Sequence, residues 1–120
     1  MPNQLTAEEI DLIKRNFRKC GEETIAAIVR FRESRDPTLI SKIVRGIVYR
    51  YLPAAGHEAL KNATADTLLG DLRIESLTML EIVLDVQDAL NVEIEDNEMR
   101  AFRTLGDVES FLEKKVADAE

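Results

Sequence analysis

Cysteine is nearly missing from this chain of 120 residues: Cys20 stands alone, which excludes an intramolecular disulfide and a cysteine-based metal cluster. Tryptophan is absent, and there are only three prolines and five glycines. No regularly alternating apolar segment is long enough to dominate, so the expected class is all-α. No apolar run approaches the roughly 20 residues of a membrane span, and no signal-peptide pattern opens the chain, so a cytoplasmic location is the default expectation. Machinery for catalysis is equally scarce. There is no Gly-x-Ser-x-Gly elbow, no Gly-rich phosphate loop and no metal-ligand spacing. The single histidine, His57, lies beside Glu58 without a nucleophile and reads as a surface residue. An enzyme is not expected.

Positive charge is scarce in the second half. Residues 1–52 carry ten Lys/Arg against seven Asp/Glu, whereas residues 53–120 carry six against sixteen. The net −7 therefore hides a +3 half and a −10 half. The acidic half repels nucleic acid and favours encounter with basic protein surfaces. In the first half the acids are interspersed among the bases, as on a solvated helix face.

What the chain does have is helical periodicity. Thr6-Ala7-Glu8-Glu9 is a capping box, followed by Ile10, Ile13 and Phe17, which predicts a helix over about Ala7 to Lys19. After Cys20-Gly21, the spacing of Ile25, Ile28, Val29 and Phe31 predicts a second helix to about Glu33. Ser34-Arg35-Asp36-Pro37 breaks it. The break sets residues 1–36, an N-terminal helical stretch, apart from residues 37–120. Leu39, Ile40, Ile43, Val44, Ile47, Val48 and Tyr51 predict a helix over about Thr38 to Leu52, ended by Pro53. A long connection to Glu75 follows, with Thr67-Leu68-Leu69 as its apolar anchor. A short helix over Asn97 to Phe102, and a last one capped by Thr104 with Val108, Phe111, Leu112 and Val116 inward, complete the pattern. Ala117 to Glu120 are expected to fray.

The most informative stretch is Asp71 to Leu90. Apolar Leu77, Leu80, Val83, Leu84, Val86 and Leu90 recur at helical spacing with Glu81, Asp85 and Asp88 between them, and Ser76 sits at the helix start. A serine there ordinarily caps backbone amides, and the same amides stabilise a negative phosphate.

Here the chain resembles the acyl carrier proteins. The residues that carry the likeness are Asp71-Leu72-Arg73-Ile74-Glu75-Ser76-Leu77, then Glu81, then the acidic turn Asn91 to Asp96, then Thr104-Leu105-Gly106-Asp107-Val108. They span roughly Pro37 to Lys115. The resemblance implies a four-helix bundle with a long first loop, here bearing the N-terminal extension. It also implies that Ser76 receives 4′-phosphopantetheine from coenzyme A through a phosphopantetheinyl transferase, and that acyl groups ride on the arm as thioesters for fatty-acid or related lipid synthesis. Glu75, Leu77, Glu81 and Asp88 would dock acyl-loading and acyl-transfer enzymes with basic surfaces. Val83, Leu84, Val86, Ile94, Met99 and Phe102 would form the acyl pocket. The protein would act as a monomer, without nucleic acid. Glu75 replaces the family's usual aspartate, and Arg73-Ile74 stands where a glycine and a small residue are usual, which points to a dedicated pathway. A carrier-fold interaction module that is never modified is the alternative.

Overall fold

A computed structural model describes residues 4–118. Among these residues seven α-helices follow one another: α1 Ala7–Asn16, α2 Glu22–Ser34, α3 Ile40–Tyr51, α4 Ala54–Lys61, α5 Ser76–Leu90, α6 Asp96–Met99 and α7 Leu105–Asp118. Short 3-10 turns cover Arg18–Cys20, Pro37–Leu39 and Leu69–Leu72. No strand occurs among the described residues, only one isolated antiparallel bridge between Leu68 and Thr104. The all-α class holds.

Helix α3 is the axis of the molecule. Ile40, Ile43, Val44, Ile47 and Val48 are each at most 2 % exposed, because the helix is covered on successive faces by α2, α5 and α7. Full burial of each such side chain contributes roughly 1.5–3 kcal/mol.

The N-terminal helices form at the predicted places with different ends. The first stops at Asn16 and passes into a 3-10 turn, not continuing to Lys19. Cys20 is buried there, and burial pushes its thiol up to about 11. The second begins at Glu22. Both pack inward, and Ile13, Phe17, Ile28 and Phe31 belong to the same apolar core as α3 and α5. Close approach of α2 to α3 depends on Gly46: a Cβ at that position would lie 2.0 Å from the Thr24 hydroxyl oxygen.

The connection after Pro53 is not one long loop. It contains α4, then returns through Leu69 N–H to Arg103 C=O at 2.9 Å and Leu105 N–H to Thr67 C=O at 2.9 Å. Leu69 is buried and Leu68 is 49 % exposed, so the anchor is the single residue Leu69. His57 stacks on Tyr49 with ring centroids 3.8 Å apart, and its Nε2 lies 3.1 Å from the Leu52 carbonyl oxygen.

Helix starts are set by local chemistry. Thr6 and Glu9 exchange reciprocal hydrogen bonds at 3.1 and 3.0 Å, and Thr104 and Asp107 do the same at 3.0 Å each. The final helix runs on to Asp118, so Ala117 and Asp118 are helical; Ala119 and Glu120 lie outside the described residues. The short helix is Asp96–Met99, begun by a Glu95–Glu98 capping box. Hydrogen bonds from the Thr104 and Arg103 backbone hold the Asp107 carboxyl below its ordinary 3.8. The Glu95 backbone N–H and then Lys115 hold Glu98 below its ordinary 4.5. Depressed carboxyl values mean that the stability they contribute is present above the free-chain values and is lost as pH falls through the folded ones. A ¹³C titration of the side-chain carboxyls should find both groups below 3.8 and 4.5 respectively; values at or above these would show that the caps are not formed in solution.

Candidate functional site

The loop before α5 is built to end at Ser76. Leu69, Leu72 and Ile74 are buried and pin the segment, while Gly70, Asp71, Arg73, Glu75 and Ser76 stay exposed. Arg73 turns the chain in the left-handed region at φ 61°. Glu75 occupies the N-cap position with extended backbone but makes no side-chain capping bond. Ser76 is consequently the first helical residue, not the cap. Its hydroxyl has no hydrogen-bond partner among the described residues, and the first backbone amides of a 15-residue helix stand beside it. An exposed, unengaged hydroxyl at the positive end of a helix can accept a bulky phosphodiester without breaking a structural bond.

Helix α5 carries two apolar stripes. Met79, Ile82, Val83, Val86, Ala89 and Leu90 face the core, whereas Leu77, Leu80 and Leu84 are 70 %, 41 % and 54 % exposed. This corrects the sequence expectation for Leu84, which does not line the interior; Leu80 of the same stripe is turned to solvent with it. Both stripes have helical spacing, and only the positions of α3 and α2 decide which one is covered. Leu80→Ala should therefore cost no more than about 1 kcal/mol, and Ile82→Ala about 2–5 kcal/mol, in denaturant unfolding. Equal losses would contradict this orientation.

Beneath the inner stripe lies a hollow of about 10 Å³, about the room one water needs. It is lined entirely by apolar side chains, among them Val83, Val86, Ile94 and Phe102 together with Val44, Val48, Met79 and Ile82. Met99 packs against the core outside this lining. Met79 and Ile82 were missed at the sequence level, although they repeat with Val83, Val86 and Leu90 at three- and four-residue intervals.

The acidic residues of α5 are partly spent within the chain. Asp85 receives the Arg50 guanidinium at 3.0 Å and the Tyr51 hydroxyl at 2.6 Å. Burial, then this bond, raises the Tyr51 hydroxyl far above its ordinary value. Asp88 lies 3.8 Å from Arg32 of α2, whose guanidinium also donates to the Asp88 and Ala89 carbonyls. Arg35 Nη1 donates to the Leu90 carbonyl at 2.8 Å. Two arginines of the N-terminal extension thus cap the carbonyl end of α5, where positive charge is favoured. Glu75 and Glu81 are exposed and form no ion pair among the described residues, so they, with the outer leucines, make the accessible face around Ser76.

Comparison with known proteins agrees with this geometry. The family model described as phosphopantetheine attachment site matches residues 44–112. The meromycolate extension acyl carrier protein of Mycobacterium tuberculosis is 31 % identical over 78 residues, covering 65 % of this chain and 68 % of the relative. Its counterpart from Mycobacterium leprae is 32 % identical over 73 residues, 61 % of this chain and 64 % of the relative. An acyl carrier protein of Exiguobacterium sibiricum is 39 % identical over 46 residues, 38 % of this chain and 58 % of the relative. No solved structure matches. No helix among the described residues is long and apolar enough to cross a membrane. The matched span contains the exposed serine, the helix it starts and the apolar hollow behind that helix, and the chain belongs to the phosphopantetheine-attachment family as an acyl carrier protein with a covalently held 4′-phosphopantetheine.

Proposed function

We propose that Ser76 is the attachment residue and that the arm's thiol carries acyl intermediates of a lipid-building pathway as thioesters. The observation that supports this most is the free Ser76 hydroxyl at the start of α5, inside the matched span. The arm supplies the thioester chemistry. The chain's residues seat the phosphate, present a docking face and offer an apolar interior.

Glu75, Leu77 and Glu81, with Leu80 and Leu84, form the docking face for the transferase and the acyl-handling enzymes. Three exposed leucines and few unpaired acids make this face more apolar than the sequence suggests, so docking should depend only moderately on salt. Asp88 is assigned to holding α2. The acyl chain enters among Val83, Val86, Ile94 and Phe102 by displacing side chains, since the hollow is closed to anything larger than water. Residues 37–120 are the carrier unit and residues 1–36 its extension. The names of the mycobacterial relatives, meromycolate extension carriers, point to elongation of long acyl chains as the class of pathway.

The test is intact-mass analysis after incubation with coenzyme A, magnesium and a broad-specificity phosphopantetheinyl transferase, with peptide mapping of the product. A gain of one phosphopantetheine mapped to Ser76 supports the reading. A gain mapped elsewhere, or none with several transferases, overturns it.

A further inference from the structure

We propose that Arg73 is a phosphate-binding residue of this carrier, its guanidinium taking the phosphodiester that joins the arm to Ser76. The inference rests on Ser76 being the attachment residue. Arg73 is the only cation between Lys61 and Arg100, a stretch that contains ten Asp and Glu residues. Four other cations of the fold spend their charge internally: Arg32 on Asp88, Arg45 on Glu109, Arg50 on Asp85 and Lys115 on Glu98. Arg73 is exposed and has no carboxylate within ion-pair distance among the described residues. It borders an open hollow of about 430 Å³ lined by Gly70, Asp71, Arg73, Ile74 and Glu75, which ends one residue short of Ser76.

The chemistry of the neighbourhood calls for such a cation. A phosphodiester on Ser76 brings a permanent negative charge to a surface that already holds Asp71, Glu75 and Glu81. Like charges so placed repel, and one guanidinium offsets that repulsion while offering two parallel donors to the two free phosphate oxygens. Reach is sufficient, since three residues separate the two Cα atoms by at most about 11 Å, a span that an extended arginine and the serine-linked phosphate close from both ends. Among the described residues no internal partner competes for the guanidinium.

The experiment uses the loaded full chain and its Arg73→Gln and Arg73→Lys variants, observed by ³¹P NMR of the arm and by the arginine Nε–Hε resonance. Loading should shift the Arg73 Nε–Hε resonance of the wild type. The ³¹P line of the wild type should differ in position and be broader than that of Arg73→Gln at low salt, with Arg73→Lys between them. An exposed ion pair biases its equilibrium by a factor of about 2 to 5, so added sodium chloride should move the wild-type line onto the Arg73→Gln line. Identical ³¹P lines in wild type and Arg73→Gln, or an Nε–Hε resonance indifferent to loading, would overturn the proposal while leaving Ser76 as the carrier residue. Failure to load Ser76 at all would overturn both.

Discussion

Ser76→Ala is expected to abolish loading completely and to leave the fold untouched. The hydroxyl makes no hydrogen bond among the described residues, Glu75 and not Ser76 holds the N-cap position, and alanine is a better helix former than serine. The stability change should stay within about 0.5 kcal/mol, as for other exposed substitutions away from caps and cores. Circular dichroism melts of wild type and variant should superimpose, while intact mass after transferase treatment shows one phosphopantetheine on the wild type alone. A variant that still gained the group would carry it on another residue, and a variant that unfolded would make the serine a structural residue. The two outcomes are separable because one is read by mass and the other by melting.

Phe31→Ala is expected to be the most damaging single substitution in the extension, costing about 3–5 kcal/mol. Phe31 is fully buried, and the Arg35 guanidinium lies 4.7 Å from its ring centroid. Arg35 in turn donates to Leu90 at the end of α5, so loosening Phe31 also frees one of the two arginines that cap that helix. The loss should therefore be felt in the carrier helices as well as in α2. Denaturant unfolding followed by amide NMR at residues of α2 and of α5 should show one shared transition displaced to lower denaturant. If α2 melted alone while α5 kept its wild-type midpoint, the extension would be an independent accessory whose arginines contribute nothing to the bundle.

Most of what was legible came from strictly local rules. The Thr6–Glu9 and Thr104–Asp107 boxes could be read directly because a side chain three residues from a helix start either reaches back to its amide or does not. The break at Asp36-Pro37 was visible for a similarly local reason, the clash of a proline ring with the preceding residue. Even so, α4 is not legible as a helix: Ala54–Lys61 contains Gly56 and follows a proline, and its only buried residue, Leu60, gives too little periodicity to mark one. Helix α2 begins earlier than its apolar pattern because Glu22 and Glu23 sit well in a first turn without being buried.

The amino-acid pattern alone settled the all-α class, the serine at the start of an amphipathic helix and the acidic cast of the second half, since periodicity, capping and net charge are properties of neighbouring residues. Packing decided the rest. Helix α5 has two stripes of equal local merit, Leu77-Leu80-Leu84 and Met79-Ile82-Val83-Val86, and only packing against α3 and α2 buries the second and leaves the first to solvent. Likewise, no local rule pairs Arg32 with Asp88, 56 residues apart; that contact exists because α2 and α5 lie against each other, drawn together by Ile28 and Phe31 and allowed to approach α3 by the missing side chain of Gly46. Which acids remain free for partners is therefore a tertiary property: burial and ion pairing depend on what lies opposite a side chain, and a linear sequence does not specify that neighbour.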